Sequence, residues 1–102
     1  MTDTELAKAV ADACGIEVKE HGGFLWFTNG VEFTPATSWS AAMLAAEKCG
    51  LFAVHAAKLD STDNGRWRLS FWNEDGMKRV FKNASGPRAI CEAILAAKKQ
   101  QP

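Results

Sequence analysis

Short glycine-containing turns constrain this chain more than any other sequence feature, because they divide two long stretches into short segments. Each Asn-Gly or Asp-Gly pair favours the positive φ angles that a tight hairpin requires. These pairs are Asn29-Gly30, Asn64-Gly65 and Asp75-Gly76, with Gly22-Gly23 as a further turn. The segments around them are predicted to be antiparallel strands: Ile16–Glu20, Phe24–Thr28, Val31–Phe33, and about Leu51–Leu59, Arg66–Asn73 and Met77–Asn83.

Three alanine-rich segments are predicted to be helices, at residues 2–14, 38–49 and 86–99. The first opens with a capping box, Thr2-x-x-Glu5, and the second is predicted to bury an apolar stripe. That stripe is Trp39, Ala42, Met43, Ala46 and Cys49. We therefore predict one α+β domain over residues 1–102, an antiparallel sheet flanked by three helices in the order α-βββ-α-βββ-α.

Few residues in this sequence have the spacing that catalysis or metal binding needs. Cys14, Cys49 and Cys91 are scattered singly, so neither a disulfide framework nor a zinc site is expected. His21 and His55 have no neighbour at metal-ligand spacing. We expect no enzyme activity, no metal and no cofactor, and we expect the three thiols to serve as small hydrophobic residues.

Charge is segregated along the chain, although the net charge is zero. Residues 1–33 hold six acidic and two basic side chains, whereas residues 66–102 hold three acidic and eight basic ones. Opposite halves of this kind either steer a charged partner or neutralise each other inside the fold, and the sequence leaves both open. No run reaches about 18 apolar residues, and the N-terminus lacks the basic start of a signal peptide, so we expect no membrane association.

The hairpin at residues 66–83 is predicted to carry the most informative surface. A two-residue turn at Asp75-Gly76 pairs Trp72 with Arg79, whereas the register of the loop Asp60–Gly65 stays open. One face then holds Trp67, Leu69, Phe71 and Val80, which indicates a core face. The opposite face holds the candidate partner-binding residues Arg66, Arg68, Trp72, Arg79 and Phe81. Three roles for that face stay open from the sequence: it binds a protein as a hot spot, it contacts nucleic acid, or it lies under a helix.

Two stretches resemble a family of small phage proteins, the phage ABA sandwich domain family. One is the middle helix and its start, with Pro35-x-Thr37-x-Trp39-x-x-Ala42. The other is the last helix, with Pro87-Arg88-Ala89-Ile90-Cys91-Glu92-Ala93-Ile94-Leu95. The resemblance extends over nearly the whole chain and implies a helix–sheet–helix sandwich from a bacteriophage or prophage, working in the host bacterial cytoplasm. It implies no activity, since the family is essentially uncharacterised, and it implies structural roles for Thr37, Trp39, Pro87, Ala89 and Ile90.

Together these features predict a small phage or prophage accessory protein that binds a host or phage protein, inhibiting a host defence or redirecting a host process. Zero net charge favours a protein partner, because affinity for nucleic acid comes largely from phosphate neutralisation. The alternative is a nucleic-acid-binding domain that uses the basic and aromatic hairpin 66–83. Formation of a homodimer is also open.

Overall fold

The computed structural model describes residues 2–53, 56–62, 64–72 and 76–99, and it confirms the α+β fold class. The elements in chain order are α1 (Asp3–Cys14), β1 (Val18–His21), β2 (Phe24–Phe27), α2 (Trp39–Cys49), β3 (Lys58–Ser61), β4 (Trp67–Trp72), β5 (Lys78–Asn83) and α3 (Gly86–Lys99). The strands form two antiparallel sheets, β1-β2 and β3-β4-β5. The order is therefore α-ββ-α-βββ-α.

The segment predicted as a third strand of the first sheet, Val31–Phe33, forms a single bridge instead, between Trp26 and Glu32. A backbone hydrogen bond flanks the bridge on each side, at 2.7 and 2.8 Å. Because only three residues take part, the segment extends the edge of β2 without forming a full strand. The Gly22-Gly23 hairpin is confirmed, since β1 and β2 pair on either side of a two-residue turn.

Local side-chain chemistry sets the helix ends where the sequence predicts them. Thr2 Oγ1 accepts the Glu5 N–H at 3.1 Å, and the Glu5 carboxylate accepts the Thr2 N–H at 3.2 Å, so the capping box is present. The Ser38 hydroxyl caps α2 by accepting the Ala41 N–H at 3.3 Å, without a reciprocal side-chain bond. The chain leaves both helices through a left-handed glycine, Gly15 after α1 and Gly50 after α2.

α3 is central to the packing, because it contacts α1, α2, β4 and β5. Its Ile90 and Ile94 are fully buried, and on the sheet side Leu69 and Phe71 are buried with them. α3 covers the face of β3-β4-β5 that carries these two side chains.

The buried face of α2 differs from the predicted stripe. Alanines line the buried side, whereas Trp39 is 41% exposed and Met43 is 42% exposed. The Trp39 ring meets the Trp67 ring edge-on with centroids 4.8 Å apart, and it covers Gly86 at the start of α3. Small side chains let α2 approach α3 closely, so the bulky residues lie at the rim of the interface.

Candidate partner-binding surface

The pairing of β4 with β5 decides which side chains share a face of the sheet. Trp72 pairs with Lys78 and Phe71 with Arg79, so the predicted register is wrong by one residue. A shift of one residue moves every side chain of β5 to the opposite face. Phe81 thereby lies beside Leu69 and stacks on Phe71 with centroids 6.0 Å apart. Burying a phenylalanine here removes more apolar surface from water than burying valine would, which favours the observed register.

The five candidate residues are divided by this register. Arg68 and Trp72 lie on the face away from α3, whereas Arg79 and Phe81 lie on the same side as Leu69 and Phe71. Arg66 is exposed in the loop that precedes β4. Phe81 is half-buried, and the Arg79 guanidinium lies 5.8 Å from its ring centroid. The five therefore do not form one surface, and their role in partner binding stays a prediction.

The outer face is defined here as the side of β3-β4-β5 opposite the buried side chains of β4. By strand register it comprises Lys58, Asp60, Arg68, Ser70, Trp72, Lys78, Val80 and Lys82. All of them are exposed except Ser70, which is half-buried. Over its described residues no helix covers this face, so the outer face is not a surface buried under a helix. The predicted helix–sheet–helix layering is not confirmed here.

Five members of the outer face were missed by sequence reasoning: Lys58, Asp60, Lys78, Val80 and Lys82. The β3–β4 register, with Ser61 opposite Trp67, brings Lys58 and Asp60 onto the face, and the β4–β5 register brings the other three. The sequence did contain a signal for the observed register. Phe81 is larger than its neighbour Val80, so it gains more from burial and is expected on the buried face.

Basic charge dominates the outer face. Arg68 donates to both carboxylate oxygens of Asp60, with Nε–Oδ1 at 2.9 Å and Nη2–Oδ2 at 3.0 Å. This pair holds the pKa of Asp60 below its ordinary value, with smaller contributions from Lys78 and Lys58. Asp60 is therefore ionised at neutral pH and offsets Arg68, which leaves a surplus of positive charge on the lysines.

Apolar side chains lie within this basic frame. Trp72 is 57% exposed and Val80 is 44% exposed, and Met77, just before β5, is also exposed. The Lys78 ammonium lies 5.9 Å from the Trp72 ring centroid, a cation–π distance that favours a fixed ring position. An exposed tryptophan among basic residues is the composition typical of a protein-binding hot spot.

The segregated charges of the chain largely face solvent. Lys8 pairs with Glu20 inside the acidic N-terminal part, whereas Arg88 pairs with Asp3 and joins the beginnings of α3 and α1. The other acidic side chains of α1 and β1 are exposed, and so are the basic side chains of β5. The N-terminal part therefore presents negative charge to solvent, and β5 presents positive charge. Such separated, exposed charges can steer a charged partner.

Other sequence candidates give no chemical site in the described part of the chain. His21 is exposed, and His55 lies outside the described residues. Within residues 2–53, 56–62, 64–72 and 76–99, no three potential metal ligands cluster and no helix is long and apolar enough to cross a membrane. A cleft of about 190 Å³ opens between the start of α1 and β2, with Asp3 and Glu32 in its lining. This volume is below the roughly 300 Å³ at which small-molecule sites usually begin, and a second cleft of about 380 Å³ beside His21 is a more open surface groove along β1 and β2.

Comparison with known proteins yields a likeness of fold. No protein-family model and no curated protein matches this chain. Among solved structures, a phage protein from Bacillus cereus is similar, with a TM-score of 0.71 and 18% sequence identity. The alignment covers 100% of this chain and 92% of that protein. The two share a fold over nearly their whole lengths, whereas membership of the phage ABA sandwich domain family is not confirmed.

Proposed function

We propose that this protein is a phage or prophage accessory protein that acts in the host bacterial cytoplasm by binding a protein partner through its outer face. The observation that carries the proposal is the exposed Trp72, next to Val80, on a sheet face with basic side chains around it. Antiparallel sheets that face water on one side normally carry polar residues there. Tryptophan on such a face is better explained by a contact it makes in a complex.

The chemistry of the outer face favours a partner with acidic groups around an apolar patch. Four basic side chains and one acidic side chain lie on this face, and the acidic one is already paired with Arg68. Opposite charge on the partner would accelerate association and select the docking orientation. Apolar contact with Trp72 would then supply most of the affinity, as aromatic anchors do at the centre of interfaces.

Two features make the nucleic-acid alternative weaker. Lys78 already lies near the Trp72 ring on which a base would stack. The chain as a whole has no net positive charge to support binding through phosphates.

The likeness to a phage protein supports the phage origin in this proposal. An exposed tryptophan on a basic sheet face suits a role in which the protein occupies a surface of another protein. We therefore propose that the partner belongs to the host, and that binding inhibits a defence or redirects a host process.

The test is capture of partners from bacterial lysate by the full chain, with and without nuclease, followed by affinity measurement with each identified partner. Lys82→Glu and Trp72→Ala should each weaken binding at least tenfold, which corresponds to about 1.4 kcal/mol. Lys19→Glu is the matched control, because Lys19 is an exposed strand lysine on the other sheet. Circular dichroism of each variant verifies that the fold is kept.

Three outcomes would contradict the proposal. Capture that disappears with nuclease, and affinity that falls steeply with salt, would indicate nucleic acid. Equal loss of binding in Lys19→Glu would remove the outer face from consideration. A purified chain that sediments as a dimer, and returns to a monomer on Trp72→Ala, would assign the face to self-association instead.

A further inference from the structure

A pair of cysteines lies where the C-terminal ends of α1 and α2 meet. Cys14 is the last residue of α1 and Cys49 the last residue of α2. Each is followed by a left-handed glycine, with φ of 66° at Gly15 and 73° at Gly50. In both cases the residue after the glycine is buried and donates its N–H back to the helix at 2.9 Å. The two helices therefore end with the same backbone geometry.

The two thiols touch the same turn of α2. The Cys14 Sγ lies 3.5 Å from the Ala45 carbonyl oxygen, and the Cys49 Sγ lies 3.5 Å from the next carbonyl, that of Ala46. In an α-helix the Ala45 carbonyl accepts the amide of the residue four positions later, which is Cys49. The two thiols are close enough that each is the largest influence on the pKa of the other. Two residues far apart in the sequence thus place their sulfur atoms beside successive carbonyl groups of one helical turn.

Electrostatic surroundings distinguish the three thiols. Interaction with the Cys14 thiol, helped by the Leu51 amide and the Lys98 ammonium, lowers the pKa of Cys49 to about 7 in spite of burial. The same interaction raises the pKa of Cys14, and burial raises the pKa of Cys91 to about 12. Since the thiolate is the reactive form, these directions make Cys49 the better nucleophile of the pair and Cys91 a less reactive thiol.

We propose that Cys14 and Cys49 form an oxidation-sensitive dithiol that hydrogen peroxide converts into a disulfide between the ends of α1 and α2. Peroxide suits this site because it is little larger than water, and Cys49 is only 8% exposed. This dithiol belongs to α1 and α2 and not to the outer face, and its oxidation would crosslink the ends of the two helices.

The reaction proceeds in two balanced steps. The Cys49 thiolate attacks one peroxide oxygen, the O–O bond breaks, and the departing hydroxide takes a proton to become water. The resulting Cys49 sulfenic acid is then attacked by the Cys14 sulfur, the S–O bond breaks, and a second water leaves with the Cys14 proton. Peroxide is reduced by two electrons, and the two thiols are oxidised to one disulfide.

The test is peroxide titration of the reduced, purified full chain, with free thiols counted after denaturation. The number of free thiols should fall from three to one, and the intact mass should fall by two hydrogen atoms. Digestion without reductant should then release a peptide pair joined through Cys14 and Cys49. Because this measurement uses the unaltered chain, it does not depend on whether any variant folds.

Matched variants locate the reaction. Cys91→Ala should form the same crosslink at the same rate, whereas Cys14→Ala should form none and should accumulate a sulfenic acid that dimedone traps at Cys49. The proposal is overturned if the unaltered chain keeps three thiols at peroxide levels that oxidise free glutathione. It is equally overturned if the crosslink joins two chains or contains Cys91.

Discussion

Serine substitutions at two neighbouring positions of β5 test the register that defines the outer face. Val80 is 44% exposed and pairs with Ser70, whereas Phe81 is half-buried and stacks on Phe71. Serine is chosen because it carries no charge and therefore forms no new ion pair with Arg79. Val80→Ser and Phe81→Ser differ by one position along the chain but act on opposite faces of the sheet.

The magnitudes follow from burial. Full burial of a valine or phenylalanine side chain contributes about 1.5–3 kcal/mol, so losing the buried part of Val80 costs about 1 kcal/mol. Phe81→Ser loses a comparable apolar term, an aromatic pair worth about 1 kcal/mol, and about 1 kcal/mol more for a hydroxyl beside the core. We expect a loss of about 3 kcal/mol, a large fraction of the roughly 5–15 kcal/mol that stabilises a domain of this size.

Urea unfolding followed by circular dichroism measures both changes. We expect Val80→Ser to keep the fold and weaken partner capture, and Phe81→Ser to lose about 2 kcal/mol more stability than Val80→Ser. The opposite order, with Val80→Ser the more destabilising, would show that Val80 faces the core. The outer face as defined here would then be refuted.

Three further predictions concern other parts of the molecule. Trp39→Ala should destabilise by about 2 kcal/mol, less than the roughly 3–5 kcal/mol expected for Phe71→Ala. The reason is that Trp39 is 41% exposed, so its loss leaves no closed cavity. Urea unfolding of the two variants measures the difference. Thr2→Ala should cost about 1 kcal/mol in thermal unfolding. The hydrogen bonds from Thr2 lower the pKa of Glu5. The contribution of the capping box to folding stability is therefore present above the ordinary glutamate pKa and lost as pH falls through the lowered value. An NMR titration should find the pKa of Glu5 raised in Thr2→Ala. The rate at which peroxide consumes the Cys49 thiol should rise as pH increases through about 7 and then level off, because the thiolate forms over that range; a rate that keeps rising to pH 9 would contradict the lowered pKa.

Features set by a few neighbouring residues were predictable from the sequence. The capping box at Thr2, the left-handed Gly15 and the hairpin at Gly22-Gly23 each depend on contacts within one turn of chain. Short-range sterics and hydrogen bonds decide such features, so the residue types suffice to predict them.

The membership of the candidate surface was only partly predictable. Arg68 and Trp72 occur on the outer face as expected, since both belong to β4 and alternate with buried residues. Phe81 was assigned to the wrong face, because the β4–β5 connection is longer than a two-residue turn. Loop length is a weak local signal, and a register error of one residue reverses a whole strand.

The sequence alone therefore determines the number and type of most elements, the helix ends and the tight turn of the first hairpin. The tertiary structure decides the strand register, the exposure of Trp39 and the contact of Cys14 with the Ala45 carbonyl of α2. The physical reason is that local preferences act between residues a few positions apart. Packing of alanine faces and burial of the largest apolar side chains instead depend on which distant segments touch, and that competition is resolved only when the whole core forms.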